Sequence, residues 1–309
     1  MLSRFNYRIH AVACRILIGL GTAHVLGTLV DVFAPTFFAP DSPRVLAQMR
    51  ATLVELGAWV GAERLSVWNM HLGCSFSTGF GLALIGAVQL LVRRANPILL
   101  ASTPIVPLAT VITIAWAVIA ASWWFWVPLL GITLAALGFA WTWYALRGVA
   151  PPAPAPAADM RLLWLGALAM GMAGALHGLG TIPDIFVDGV FAPVSPAVRR
   201  AMTGSDVMLP SLFEASTPIW SAYLGYHLSH GLGVAGFALT PWLMARDLPC
   251  VIAHDRDLQA LYATLSLLWF AVALAFWFYA PMLVSGMAAT CHLALMVRQR
   301  RTLPISGQT

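Results

Sequence analysis

The sequence contains one pattern twice, at a separation of 153 residues (His24 to His177). The shared positions of the first copy are Gly21, His24, Gly27, Thr28, Asp31 and Phe33, and those of the second are Gly174, His177, Gly180, Thr181, Asp184 and Phe186. Further along, Trp116, Trp124 and Pro128 recur at the same separation as Trp269, Trp277 and Pro281. Such self-similarity at one long separation predicts a structural unit that has been duplicated and fused.

The repeated residues lie within long apolar stretches. Sixty per cent of the 309 residues are hydrophobic and only 9% are charged, whereas about a quarter of a soluble domain is charged. The mean hydropathy is +0.81. Because a helix needs about 20 apolar residues to cross the hydrocarbon core, the sequence predicts an all-α, polytopic integral membrane protein.

Eight apolar segments are long enough to be transmembrane helices. They cover roughly residues 12–33, 67–92, 98–120, 125–147, 161–183, 218–244, 258–279 and 281–298. Four of them fall in residues 1–150, the first half, and four in residues 151–309, the second half. The Pro/Ala-rich stretch from Pro151 to Pro156 is typical of an extended, semi-rigid linker between two four-helix repeats.

The distribution of arginine predicts the orientation in the membrane. With the N-terminus inside, twelve of the seventeen arginines fall on the inner side and five on the outer side, which agrees with the positive-inside rule. The prediction is a multi-pass protein of a bacterial inner (cytoplasmic) membrane with both termini inside. Since each half has an even number of spans, the two repeats should be parallel. The arginines follow topology and therefore do not indicate nucleic-acid binding.

Two outer segments, about 32–66 and 184–217, are long. Val45 to Leu56 has the apolar spacing of a short helix that lies on the outer surface. We expect these segments to cap the space between the first two helices of each half.

Polar residues that lie within the apolar segments are the candidate site residues. In the first half they are His24, Thr28 and Asp31 on the first span and His71 on the second; in the second half they are His177, Thr181 and Asp184 on the fifth span and His227, Ser229 and His230 on the sixth. A spacing of i, i+4 and i+7 puts the first three of each half on one helix face. If the second half has about three extra loop residues, His71 corresponds to His227 and Cys74 to His230. We expect two histidines of each half to meet in the outer leaflet.

Three interpretations of these histidines remain open. The first is that they hydrogen-bond neighbouring helices and serve only packing, as in a structural or accessory subunit of a membrane complex or oligomer. The second is a cofactor site, with haem b or copper bound by histidines drawn from His24, His71, His177, His227 and His230. The third is a polar pocket for a lipid-like or small apolar ligand, as in a membrane enzyme or transporter. The group around His177, His227 and His230 is the stronger candidate site.

Cysteine spacing adds little. Cys14, Cys74, Cys250 and Cys291 lie in or beside different apolar segments without a CxxC pair. The spacing therefore favours neither a disulfide framework nor a zinc site.

The segment from Ile219 to Gly233 resembles the second-helix motif of a family of uncharacterised bacterial four-span membrane proteins, W-x-x-Y-x-G-F-x-x-S-H-G-x-G. Members of that family have about 150 residues, so the resemblance implies that this chain holds two such units. It points to Ser229 and His230 as motif residues. In the first half, Gly73-Cys74-Ser75 is expected to correspond to Ser229-His230-Gly231. The first half therefore departs from the Ser-His-Gly part of the motif.

Overall fold

The computed structural model describes residues 4–35, 42–55, 64–147, 149, 159–186, 200, 202–204, 206–208 and 216–302. The helices of the first half are α1 (Arg4–Phe33), α2 (Pro43–Ala51), α3 (Val67–Ala95), α4 (Leu99–Ser102), α5 (Ile105–Trp123) and α6 (Trp126–Leu146). Those of the second half are α7 (Arg161–Thr181), α8 (Ile219–Asp247), α9 (Pro249–His254), α10 (Arg256–Phe276) and α11 (Tyr279–Thr302). Two antiparallel hairpins pair β1 (Leu53–Glu55) with β2 (Arg64–Ser66) and β3 (Asp206–Met208) with β4 (Ser216–Pro218). The Pro/Ala linker lies outside the described residues.

The chain is a helical membrane protein. Seven of the described helices are long and apolar enough to cross a bilayer: α1, α3, α5, α6, α7, α10 and α11. Large apolar side chains of the peripheral helices, such as Leu26, Val111 and Leu283, are exposed, as expected of surfaces that face lipid. The remaining long helix, α8, has 29 residues. Its histidines, serines and Pro241 make it less apolar than those seven helices.

Helices α3 and α8 form the centre of the bundle. Both are buried along most of their length, and they meet where Gly81 approaches Gly233. They run in the same direction, because Ser77 contacts His230 at one end of this interface and Ile85 lies beside Gly236 at the other. Glycine at the crossing permits close approach of the two backbones.

The packing of the first half has a counterpart in the second. The matching helix pairs are α1–α3 with α7–α8, α5–α6 with α10–α11, α1–α6 with α7–α11, and α5–α8 with α10–α3. Tryptophans make the same contact in both directions between halves. Trp124, at the end of α5, lies against Gly225 of α8, and Trp277, at the end of α10, lies against Gly73 of α3. Both tryptophans therefore pack between the halves.

The predicted correspondence between α3 and α8 was wrong. Both helices have 29 residues and begin 152 residues apart (Val67 and Ile219), so the second half is one residue shorter before α8 rather than three residues longer. In this register the counterparts of the three polar residues Cys74, Ser75 and Thr78 are Tyr226, His227 and His230, and His71 corresponds to Tyr223.

The cap over the beginning of α3 and α8 is built partly from α2. The side chain of Ser42 accepts a hydrogen bond from the backbone N–H of Val45 (3.5 Å) and caps the helix. Val45, Leu46 and Met49 are buried against Trp68, Tyr223 and other residues of the two central helices. Met202, the counterpart of Met49, joins the same cluster. The predicted helix of the first long segment is thus confined to Pro43–Ala51, and a strand follows it.

The third predicted span begins later than expected. Residues 98–120 were predicted as one helix, but α4 ends at Ser102 and α5 begins at Ile105. Pro104 lies at the break, and proline has no N–H to continue a helical hydrogen-bond ladder.

Candidate functional site

His24 of α1 lies in a chain of hydrogen bonds that joins α1 to α3. Its Nε2 atom is 3.0 Å from Oγ of Ser75, and the same hydroxyl is 2.7 Å from Oγ1 of Thr28. The Thr28 hydroxyl also contacts the carbonyl oxygen of His24 (2.9 Å). The spacing of His24 and Thr28 puts them on one helix face, as predicted.

These residues form one wall of a pocket with a volume of about 330 Å³. Its polar lining is His24, Thr28, Asp31, His71, Ser75 and Tyr226; its apolar lining is Leu20, Ala23, Gly27, Leu72, Leu82, Trp124, Phe125, Val127, Pro128, Ile132 and Ala222. Because α8 contributes Ala222 and Tyr226, both halves build the pocket. The volume is at the lower end of small-molecule sites.

His24 and His71 share this pocket without a direct hydrogen bond between them. The ring of Tyr226 lies 5.3 Å from that of His24 and 5.1 Å from that of His71. His71 is stacked on Trp68 (5.5 Å between centroids), and its buried Nδ1 has no hydrogen-bond partner among the described residues. The expected pairing of two histidines in the first half is thus replaced by a pairing of His24 with Ser75.

In the second half, two histidines do meet. Nε2 of His177 is 3.1 Å from Nδ1 of His227, and the rings stack with centroids 5.1 Å apart and an interplanar angle of 12°. His227 occupies the position of Ser75, so the same two helix positions make the interhelical contact in both halves. Thr181 donates to the carbonyl oxygen of His177 (2.8 Å), as Thr28 does for His24.

His230 completes the second group and connects it to the other half. Its ring lies edge-on to that of His177 with centroids 4.4 Å apart. Its Nδ1 is 2.6 Å from Oγ of Ser77, and the indole Nε1 of Trp269 donates to the same hydroxyl. The structure therefore brings His177, His227 and His230 together, as the sequence predicted.

Cys74 is a member of this group that the sequence did not reveal. Its sulfur and one ring nitrogen each of His177 and His227 all lie within 4.8 Å of one another. The predicted correspondence of Cys74 with His230 had placed it in the first half's site. In the helical register of the structure it corresponds to Tyr226, and each of these two residues extends into the site of the opposite half.

The remaining candidates differ in their positions. Asp31 lines the first pocket, and Asp184 lies in the 3₁₀ turn Ile182–Ile185. Both aspartates are buried, with 7% and 2% of the residue exposed. Ser229 is buried, and its hydroxyl has no hydrogen-bond partner among the described residues, so it does not join His230 in a hydrogen-bonded site.

Two further histidines are buried away from both groups. Nε2 of His10 is 3.2 Å from Oε1 of Gln89, and both residues are buried. Nδ1 of His292 is 2.7 Å from Oγ of Ser266. Each joins two helices and contacts no member of the groups described above, which is the geometry of packing histidines.

Neither a protein-family model, nor a curated protein, nor a solved structure matches this chain.

Proposed function

We propose that this chain is an eight-span protein of a bacterial inner membrane, built from two parallel four-helix repeats, that binds a small apolar ligand between α1, α3 and α8. The eighth span is α8, whose 29 residues lie beside α3 along the same direction. The matching helix pairs of the two halves support the duplication. The excess of arginine in the connections on one side supports inner termini.

The ungapped register of α3 and α8 strengthens the resemblance to the four-span family. In that register Trp68, Gly73, Ser77, Gly79 and Gly81 occupy the same motif positions as Trp220, Gly225, Ser229, Gly231 and Gly233. Five positions of the motif therefore recur in the first half, whereas its tyrosine, phenylalanine and histidine positions hold His71, Cys74 and Thr78 there. The five shared positions support descent of each half from one such unit.

The pocket of about 330 Å³ is the observation that carries the ligand proposal. Most of its lining is aliphatic or aromatic, so an apolar body gains by transfer into it. The hydroxyl and imidazole groups of Ser75 and His24 lie together on one wall. A group on the ligand that donates or accepts one hydrogen bond would be held there, since polar groups in such surroundings need partners.

Replacing Ala23 tests this proposal with a matched control. Ala23 lines the pocket, and its counterpart in the second half is Leu176. Ala23 is exposed, so Ala23→Leu should obstruct the open side of the pocket with a side chain that the second half already carries at this position. Thr22→Leu adds a side chain of the same size at the neighbouring exposed residue, which is outside the pocket lining.

The measurement is mass spectrometry of small molecules that remain with protein purified in lipid nanodiscs. We expect one molecule, near one per chain, in the native protein and in Thr22→Leu, and at least tenfold less in Ala23→Leu. Equal retention by all three proteins would contradict the proposal.

The alternative is that the histidines serve packing alone, which the hydrogen bond between His24 and Ser75 supports. His24→Ala would then lower stability by about 0.6–2 kcal/mol, as measured for polar contacts between membrane helices, and leave the retained molecules unchanged. Loss of the molecule with stability nearly unchanged would favour ligand binding.

A further inference from the structure

The group of Cys74, His177 and His227 has the composition of a metal site. Each residue comes from a different helix, α3, α7 and α8, and their ligand atoms lie within 4.8 Å of one another. Metal–sulfur and metal–nitrogen bonds of about 2.3 and 2.0–2.1 Å need ligand atoms closer than this. Small rotations of the side chains would bring them onto one ion.

One ring nitrogen in this group is buried without a hydrogen-bond partner among the described residues. His227 has one nitrogen, Nδ1, near His177 and a second, Nε2, that is buried without a hydrogen-bond partner among the described residues. A buried polar atom without a partner is costly, and a bound cation would relieve that cost. The thiol of Cys74 is free and almost fully buried, which shields the site from bulk water.

Neighbouring side chains would fix the ligands in place. The ring of Tyr223 lies 4.2 Å from that of His227, and His230 lies edge-on to His177 while bound to Ser77. Packing of this kind restricts the rotation of the two imidazoles and so helps to hold them in place.

The softness of the ligand atoms and the net charge of the site indicate which metal ion would bind. We propose that Cys74, His177 and His227 bind one cuprous ion, Cu(I). Thiolate is a soft ligand that favours Cu(I) or zinc, and imidazole suits both. One thiolate and two neutral imidazoles around Cu(I) have no net charge, whereas a divalent ion would leave one positive charge in the interior, where isolated charges are costly. Binding releases the thiol proton of Cys74 to water as the copper–sulfur bond forms.

This proposal is independent of the ligand pocket, since none of the three residues lines it. A failure of the pocket experiments would leave the copper site untouched, and the reverse also holds.

The test is a competition for copper on the full-length, detergent-solubilised protein. Cu(I), kept reduced with ascorbate, is partitioned between the protein and bathocuproine disulfonate. We expect one tightly bound ion per chain. Cys74→Ser should weaken binding by at least about 100-fold, the upper end of what loss of an outer hydrogen-bond partner costs.

Cys14→Ser is the matched control. Cys14 is also buried and lies 3.8 Å from a ring nitrogen of His10, but no second histidine joins it in the metal-ligand group of the described residues. This variant should retain the bound ion. Equal weakening in both variants, or no weakening in Cys74→Ser, would overturn the proposal.

X-ray absorption of the copper-loaded native protein keeps the proposal testable if Cys74→Ser does not fold. One sulfur and two nitrogen neighbours of copper are expected. A copper shell without sulfur would overturn the proposal, as would a site that retains zinc in preference to Cu(I).

Discussion

Gly81 and Gly233 lie against each other where α3 and α8 cross, so closely that a Cβ atom added to Gly81 would be 2.7 Å from Cα of Gly233. No side chain can move aside there, because the obstructing atom is backbone. The two glycines are counterparts in the 152-residue register, so the contact joins the same position of both halves.

The first prediction concerns this crossing. Gly81→Ala should lower stability by about 1–3 kcal/mol, the usual cost of overpacking, as measured by thermal unfolding in detergent. The control is Gly19→Ala, since a Cβ at Gly19 meets nothing within 4 Å. It should gain up to about 1 kcal/mol, because alanine favours helix more than glycine does. Equal effects of the two changes would show that α3 and α8 do not pack in this way.

The sequence predicted a helical membrane protein because the length of each apolar segment can be read from the segment itself. It also placed His24 and Thr28 on one helix face correctly, since the helical period fixes that relationship. The predicted counterparts of Cys74 and His71 were wrong, because the sequence of α3 was aligned with that of α8 on the assumption of about three extra loop residues in the second half. The ungapped alignment was available in the matched pairs Trp68 and Trp220, Gly73 and Gly225, Ser77 and Ser229, Gly79 and Gly231, and Gly81 and Gly233.

Contacts between the two halves could not be predicted from either copy alone. The approach of Cys74 to His177 depends on how α3 packs against α7 and α8, and no period within one helix encodes it. The same applies to Tyr226, which reaches the pocket of the first half from α8.

The second prediction concerns Ser77, whose hydroxyl is shared by His230 and Trp269. Ser77→Ala removes that hydroxyl and leaves two buried nitrogens without a partner. Since each buried group left unpaired costs about 1–3 kcal/mol, the melting temperature should fall clearly. Ser229→Ala is the matched control, because Ser229 is the counterpart of Ser77 and its hydroxyl has no hydrogen-bond partner among the described residues. The control should be nearly neutral; a larger loss in Ser229→Ala would contradict the hydrogen-bond assignment.

The third prediction concerns Gln89, which links three helices. Its Oε1 contacts His10 at 3.2 Å, and its Nε2 donates to the carbonyl oxygen of Ile105 at 2.6 Å. In a double-mutant cycle of His10→Leu and Gln89→Leu, we expect a coupling of about 0.5–3 kcal/mol, as found for residues in one hydrogen-bond network. The exposed His254 should show no coupling to Gln89 when it is replaced by alanine. Additive effects of His10→Leu and Gln89→Leu would mean that the two side chains do not interact in the membrane.

The last prediction tests whether α8 crosses the bilayer. If it does, alkaline phosphatase fused after Phe186, before α8, should lie outside the inner membrane and be active. The same enzyme fused after Leu248 should lie inside and be inactive. Green fluorescent protein fused at the same two points should show the opposite pattern, because it fluoresces only when it folds inside. A fusion after Phe125, in the turn between α5 and α6, is the positive control for the outer side.

If the fusions after Phe186 and Leu248 report the same side, α8 does not span the membrane. The number of spans would then be odd, and with the N-terminus inside, the C-terminus would lie outside. The two halves could not both be complete four-span units, although α3 and α8 would still lie side by side at Gly81 and Gly233.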